Sequence, residues 1–131
     1  MMHDERKTVL VVDDEPDSVD YLTAVLEDHG FETVTAKDGG EAIAWLEREV
    51  PALVTLDISM PEKSGVAVYR KLRTDGRLAG VPVVMVTGIS DDFERFISSR
   101  RSVPPPDGYV HKPVDPEEFM RVVSGLVGQA V

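Results

Sequence analysis

The sequence predicts an α/β fold, a doubly wound parallel sheet of five strands with five helices. Three observations carry this. Segments 8–12, 52–56 and 81–86 are near-continuous runs of apolar and β-branched residues, which is how strands buried on both faces of a parallel sheet read. Helical patterns with readable starts and stops lie between such runs. The runs also lead into functional groups: Asp13-Asp14, Asp57 and Thr87, with a short fourth run leading into Lys112. Ligand sites of open parallel sheets form outside the carboxyl ends of the strands. Three carboxylates, a hydroxyl and an ammonium delivered there suit a site that holds a divalent cation beside a phosphoryl group.

The elements follow in order. Segment 8–12 is a central strand. Pro16 suits the first helical position after the Asp-Asp-Glu turn, and Val19, Leu22, Val25 and Leu26 make one apolar stripe ending before Gly30. Segment 31–35 mixes Glu32, Thr33 and Thr35 with Phe31 and Val34, which fits a sheet edge. Asp38 with Glu41 resembles a capping box opening a helix through Ala42, Ile43, Trp45 and Leu46. After the central strand 52–56, Ser64 caps a third helix with Val68, Tyr69 and Leu72 inward, stopped by Asp75-Gly76. After the central strand 81–86, Ser90 with Asp91 and Asp92 in the dipole-favoured first turn opens a fourth helix carrying Phe93, Phe96 and Ile97. Pro104-Pro105-Pro106 is a stiff extended segment that must end that helix. Segment 109–111 is short enough for an edge. Asp115-Pro116-Glu117-Glu118 opens a fifth helix, where Phe119, Val122, Val123, Leu126 and Val127 keep i, i+3, i+4, i+7, i+8 spacing. Sorting central from edge strands suggests the order 2-1-3-4-5, with right-handed crossovers placing helices on both faces.

At 131 residues, 42% of them hydrophobic, the chain is read as one domain over 1–131, with about 1–7 as a flexible N-terminal tail. A formal net charge of -10, from 24 acidic and 14 basic residues, argues against nucleic acid as a direct partner. No apolar stretch approaches the roughly 20 residues needed to span a bilayer, and the start has no signal-peptide segment, so the expected location is cytoplasmic without a membrane partner. Zero cysteines exclude disulfides, thiolate metal sites and cysteine nucleophiles.

At the ends of adjacent strands Asp13, Asp14 and Asp57 would crowd like charges that disfavour joint ionisation, and a cation relieves that. Mg²⁺ prefers oxygen ligands, is held by one or two carboxylates plus waters, and leaves positions for phosphate oxygens. The competing reading is that aspartates simply favour turns after strands. Lys112 would pair with Asp57 at rest and with a phosphoryl oxygen later, against the ordinary alternative of a solvated lysine. The Thr87 hydroxyl could donate to the same oxygen, although threonine is also a favoured strand residue. His111 should point to the opposite side of its strand from Lys112, His29 reads as a helix-end residue, and Trp45 reads as core. Arg95, Arg100 and Arg101 read as a solvated helical face before a docking patch.

With these residues in place, the chain resembles the receiver domain of bacterial two-component response regulators. The resemblance runs from Val9-Leu10-Val11-Val12-Asp13-Asp14-Glu15-Pro16 through Leu56-Asp57-Ile58-Ser59-Met60-Pro61 and Gly65 to Val86-Thr87-Gly88 and Lys112-Pro113. It implies a flavodoxin-like receiver fold with the 2-1-3-4-5 order, and the order suggested above is not independent of that resemblance. It also implies Asp57 as phosphoacceptor, Asp14 as a direct Mg²⁺ ligand, Asp13 as a ligand acting largely through water, and the Ser59 backbone carbonyl as a further ligand. Thr87 and Lys112 would bind the phosphoryl group, and Tyr109 would be the switch aromatic that follows the threonine. Nucleophilic attack by a carboxylate needs neutralised oxygens, which agrees with this division of roles.

Three features depart from the common pattern. Ser59 and Ile89 would flank the phosphoryl group, and an aliphatic Ile89 offers nothing to orient a hydrolytic water. Between Ile97 and Tyr109 the chain carries Arg100-Arg101-Ser102-Val103 and three prolines, where receivers commonly have a short helix end and a small-residue turn. It stops at Val131 with no expected output domain.

The resemblance implies a non-enzymatic phosphoacceptor module that promotes only its own phosphorylation and dephosphorylation. Its partners would be a sensor histidine kinase or phosphotransfer protein and a downstream protein target, with homodimerisation on phosphorylation a further option. A receiver fragment of a longer multidomain regulator is the alternative. An aspartate-nucleophile phosphohydrolase would need a second aspartate as general acid two residues after the nucleophile, where Ser59 stands. A flavin-binding module would need a phosphate loop that Asp13-Asp14-Glu15 would repel.

Overall fold

The computed structural model describes residues 7–57, 64–87 and 107–128, with Ser64 and Thr87 described through their backbone alone. Among the described residues, five strands and four helices follow in the order β1 (Thr8–Val12), α1 (Pro16–Asp28), β2 (Glu32–Ala36), α2 (Gly39–Leu46), β3 (Leu53–Asp57), α3 (Ser64–Thr74), β4 (Val83–Thr87), β5 (Gly108–His111) and α4 (Pro116–Val127). The strands form one parallel sheet in the order β2-β1-β3-β4-β5, as the sorting of central and edge strands predicts. The helix expected from Ser90 and the proline triplet lie outside the described residues, so four helices stand against the expected five. Of the expected tail, residues 1–6 lie outside as well, while the Lys7 carbonyl accepts the Glu32 N–H at 2.9 Å.

Alternation along the strands divides the apolar residues between two cores. Leu10, Val12, Val54, Leu56, Val83 and Met85 pack with Ala42 and Leu46 of α2 and Val68, Tyr69 and Leu72 of α3. Val9, Val11, Leu53, Val84, Val86 and Val110 pack on the other face with Leu22 and Leu26 of α1 and Phe119, Met120 and Val123 of α4. A sheet covered on both sides explains why its central strands lack polar alternation. The edge strand β2 has an exposed Glu32 and Thr35, as its mixed composition predicts.

Strand limits shift slightly from the expected ones, for identifiable reasons. The Phe31 N–H is taken by the Leu26 carbonyl at 3.1 Å, in the turn where Gly30 adopts φ +90°, so Phe31 closes α1 and does not open β2. Val81 donates to Leu78 at 2.9 Å and Pro82 has no N–H, which delays β4 to Val83. In α2 the Asp38 carboxylate accepts the Glu41 N–H at 2.8 Å, while Glu41 accepts from the Lys37 N–H at 2.9 Å, a box displaced by one residue from the usual form. The cap expected from Ser64 depends on a side chain outside the description.

A polar clamp ties α3 to the start of β5. Arg73 donates to the Asp107 carboxylate at 2.6 Å, to the Val81 carbonyl at 2.9 Å and to the Tyr69 hydroxyl at 3.3 Å. The same Asp107 oxygen accepts the Val83 N–H at 2.8 Å, so one carboxylate joins α3, β4 and β5.

Candidate functional site

The site is built where β1, β3 and β5 end. Asp13 directly follows β1, and its N–H extends the ladder by donating to the Ala36 carbonyl at 3.1 Å. Asp57 is the last residue of β3, one position later than expected, so the ladder itself fixes it opposite Val86. Both aspartates are only 1% exposed, whereas Asp14 is exposed. Oxygens of Asp13, Asp14 and Asp57 all lie within 4.8 Å of one another. From the end of β5, Lys112 sends its ammonium to Asp13 Oδ2 at 3.2 Å and Asp57 Oδ2 at 3.3 Å. The Lys112–Pro113 peptide is cis.

A third carboxylate joins the lysine. Glu15 Oε1 accepts from Lys112 Nζ at 2.9 Å and from the Ser18 hydroxyl at 3.2 Å. Sequence reasoning missed this residue, treating it as part of a turn. The available signal was Pro16 at the first helical position, which makes Glu15 the N-cap; its carboxylate makes no capping bond to the helix backbone. The Glu15 N–H meanwhile anchors Asp13 through Oδ1 at 3.0 Å.

The electrostatics follow from this crowding. Burial raises the Asp13 carboxyl above its ordinary value, and the Asp57 charge adds to that, while the Glu15 N–H and Lys112 pull it down. Burial alone would lower the Lys112 ammonium, but Glu15, Asp57 and Asp13 outweigh it and the net displacement is upward. Lys112 is therefore a fixed cation. Bonding to Lys112 lowers the Glu15 carboxyl.

The donor set of three carboxylates is all hard oxygen, which fits Mg²⁺. Two of the three, Asp13 and Asp57, already receive the Lys112 ammonium. Backbone pairing of Thr87 with His111 places Thr87 beside the strand that delivers Lys112. Tyr109 pairs with Met85 and packs half-buried against the core on the α2 and α3 side. Ser59, Ile89 and the arginines 95, 100 and 101 lie outside the described residues. His111 is exposed, Trp45 packs against the core, and His29 is the α1 C-cap with Nδ1 2.9 Å from the Val25 carbonyl. Beside Lys112 opens a groove of about 610 Å³ lined by Asp17, Ser18, Tyr21, Leu22, Pro113 and Val114.

An acidic strand-end site of this kind suits a signalling receiver, and comparison with known proteins gives the family. The family model for the response regulator receiver domain matches residues 9–124. The chain belongs to that family. It is 32% identical over 119 residues to the protein PilH of Pseudomonas aeruginosa, covering 91% of this chain and 96% of that protein. It is 37% identical over 115 residues to the DNA-binding response regulator MtrA of Mycolicibacterium smegmatis, covering 88% of this chain and 48% of MtrA, so it spans about half of that relative. Among solved structures, the signal receiver domain of a signal transduction histidine kinase from Syntrophus aciditrophicus superposes with a TM-score of 0.81 at 29% identity, covering 93% of this chain and 90% of that one. The chain is thus a response regulator receiver of the two-component class. Among the described residues no helix is long and apolar enough to cross a membrane.

Proposed function

We propose that Asp57 accepts a phosphoryl group from a sensor histidine kinase or a phosphotransfer protein, and that the signal leaves through a phosphorylation-dependent protein contact. The observation that carries this reading is a buried Asp57 held at a strand end, with Lys112 Nζ 3.3 Å from its Oδ2 and Asp13 beside it. The Asp57 carboxylate attacks phosphorus in line with the donor's P–N bond; a P–O bond forms as the P–N bond breaks, and the leaving imidazole takes up a proton. Lys112 stays charged and shifts toward the incoming phosphoryl oxygens. Asp13, Asp14, Asp57 and the Ser59 carbonyl would hold Mg²⁺, which when bound neutralises charge on the transferring group. Thr87 closes on the phosphoryl group and Tyr109 follows as the switch.

The groove beside Lys112 supports docking of the phosphodonor from the α1 side. On this reading the chain is a single cytoplasmic receiver domain over 1–131, without direct nucleic-acid or membrane partners and without activity beyond its own phosphorylation and dephosphorylation. The half-length match to MtrA favours one second reading, a receiver cut from a longer regulator. Incubation with a small acyl phosphate and Mg²⁺, followed by mass analysis, is expected to show one phosphoryl adduct that Asp57→Asn abolishes. Full adduct formation on Asp57→Asn would overturn the assignment.

A further inference from the structure

Lys112 has three ammonium hydrogens, and three carboxylates take them. The shortest of these bonds, 2.9 Å, goes to Glu15, which none of the roles above uses. The other two, at 3.2 and 3.3 Å, go to Asp13 and Asp57, the carboxylates assigned to the cation. Glu15 sits on the rim with its side chain 64% exposed, while Asp13 and Asp57 lie at the buried floor. Its carboxylate is aimed by Ser18 one helical turn away, and it has no capping duty to compete for it.

We propose that Glu15 is a positioning residue that partitions Lys112 between the floor of the site and its rim. This rests on the phosphoacceptor reading above. When Asp13 and Asp57 are given over to a cation, Glu15 is the anionic partner that Lys112 keeps among the described residues. Glu15 therefore favours cation binding. When a phosphoryl group sits on Asp57, the same carboxylate competes with the phosphoryl oxygens for the ammonium. Glu15 therefore opposes the phosphorylated state. The two effects have opposite signs and one cause.

Calorimetric titration of the whole chain tests this, first with Mg²⁺ alone and then with beryllium fluoride at saturating Mg²⁺ as a phosphoryl mimic. Glu15→Gln keeps the side-chain length and the backbone N–H bond to Asp13 while removing the charge. Relative to wild type it is expected to bind Mg²⁺ about threefold more weakly and beryllium fluoride about threefold more tightly, the scale of an exposed ion pair. Glu15→Asp separates contact from charge, since it stays anionic but is one methylene too short for Lys112; it is expected to follow Glu15→Gln. Asp20→Asn, which removes an equal charge from the exposed face of α1 outside the groove, is expected to follow wild type. If Glu15→Asp binds like wild type, or if both Glu15 variants shift the two affinities in the same direction, the inference is overturned. Wild-type protein that bound neither ligand would overturn the phosphoacceptor reading along with it.

Discussion

Thr55 lies two residues before Asp57, between Val54 and Leu56 of the α2 and α3 core, so its side chain turns to the opposite face. Its hydroxyl oxygen is buried with no hydrogen-bond partner among the described residues. An unsatisfied hydroxyl costs about 1–3 kcal/mol. Thr55→Val is expected to raise stability by about 1 kcal/mol, read as a higher urea midpoint at unchanged slope; a lower midpoint would mean the hydroxyl is bonded. Asp13 allows a second prediction. Burial, aided by Asp57, raises its folded-state pKa above the ordinary 3.8, against the pull of the Glu15 N–H and Lys112. Through the window from 3.8 upward the folded protein keeps a proton that the unfolded chain has released, so the Asp13 contribution to stability falls as pH rises. Asp13→Asn lacks that titration. Its stability relative to wild type should therefore grow as pH rises through the window and level off above it, and urea unfolding at several pH values checks this. A gap independent of pH would contradict the raised carboxyl.

Among the elements, α3 shows how far the chain depends on contacts between distant segments. Arg73 is 7% exposed and its partner Asp107 is 39% exposed, so the pair is only partly desolvated. Breaking a fully buried pair costs about 3–5 kcal/mol. Arg73→Met is expected to cost about 2 kcal/mol in urea unfolding, because Tyr69, Val81 and Asp107 lose a donor together. A loss below about 0.5 kcal/mol would assign the clamp to solvent-screened contacts. This clamp was invisible in the sequence, since its members are 34 residues apart and neither breaks a local pattern. The elements were legible where periodicity decides them: Val9 to Val12 read as buried on both faces because they are. Strand limits were less so, because Pro82 and the turn at Phe31 redirect individual N–H groups without changing hydrophobicity. Asp13, Asp57 and Lys112 were legible because strand ends place them whatever their side chains do. Glu15 was not, since spacing along the chain does not say where the side chain of an N-cap residue points.

For the molecule as a whole, the proposed cation binding would be linked to folding. A ligand that binds only the folded chain adds about 2.7 kcal/mol at a hundred times its dissociation constant. Mg²⁺ is expected to raise the thermal midpoint of the wild type and a chelator to reverse this, with the gain largely lost in Asp14→Ala; an equal gain in that variant would contradict the ligand set. The clamp at Arg73 has a consequence of another kind. It grips β4 at Val83, whereas Asp13, Asp57 and Lys112 gather at the far end of the same sheet, about 13 Å away along a five-residue strand. Substitutions separated by more than about 7–10 Å without shared partners usually combine additively. Changes at the clamp are therefore expected to alter the durability of the fold while leaving the chemistry at the opposite pole of the sheet untouched.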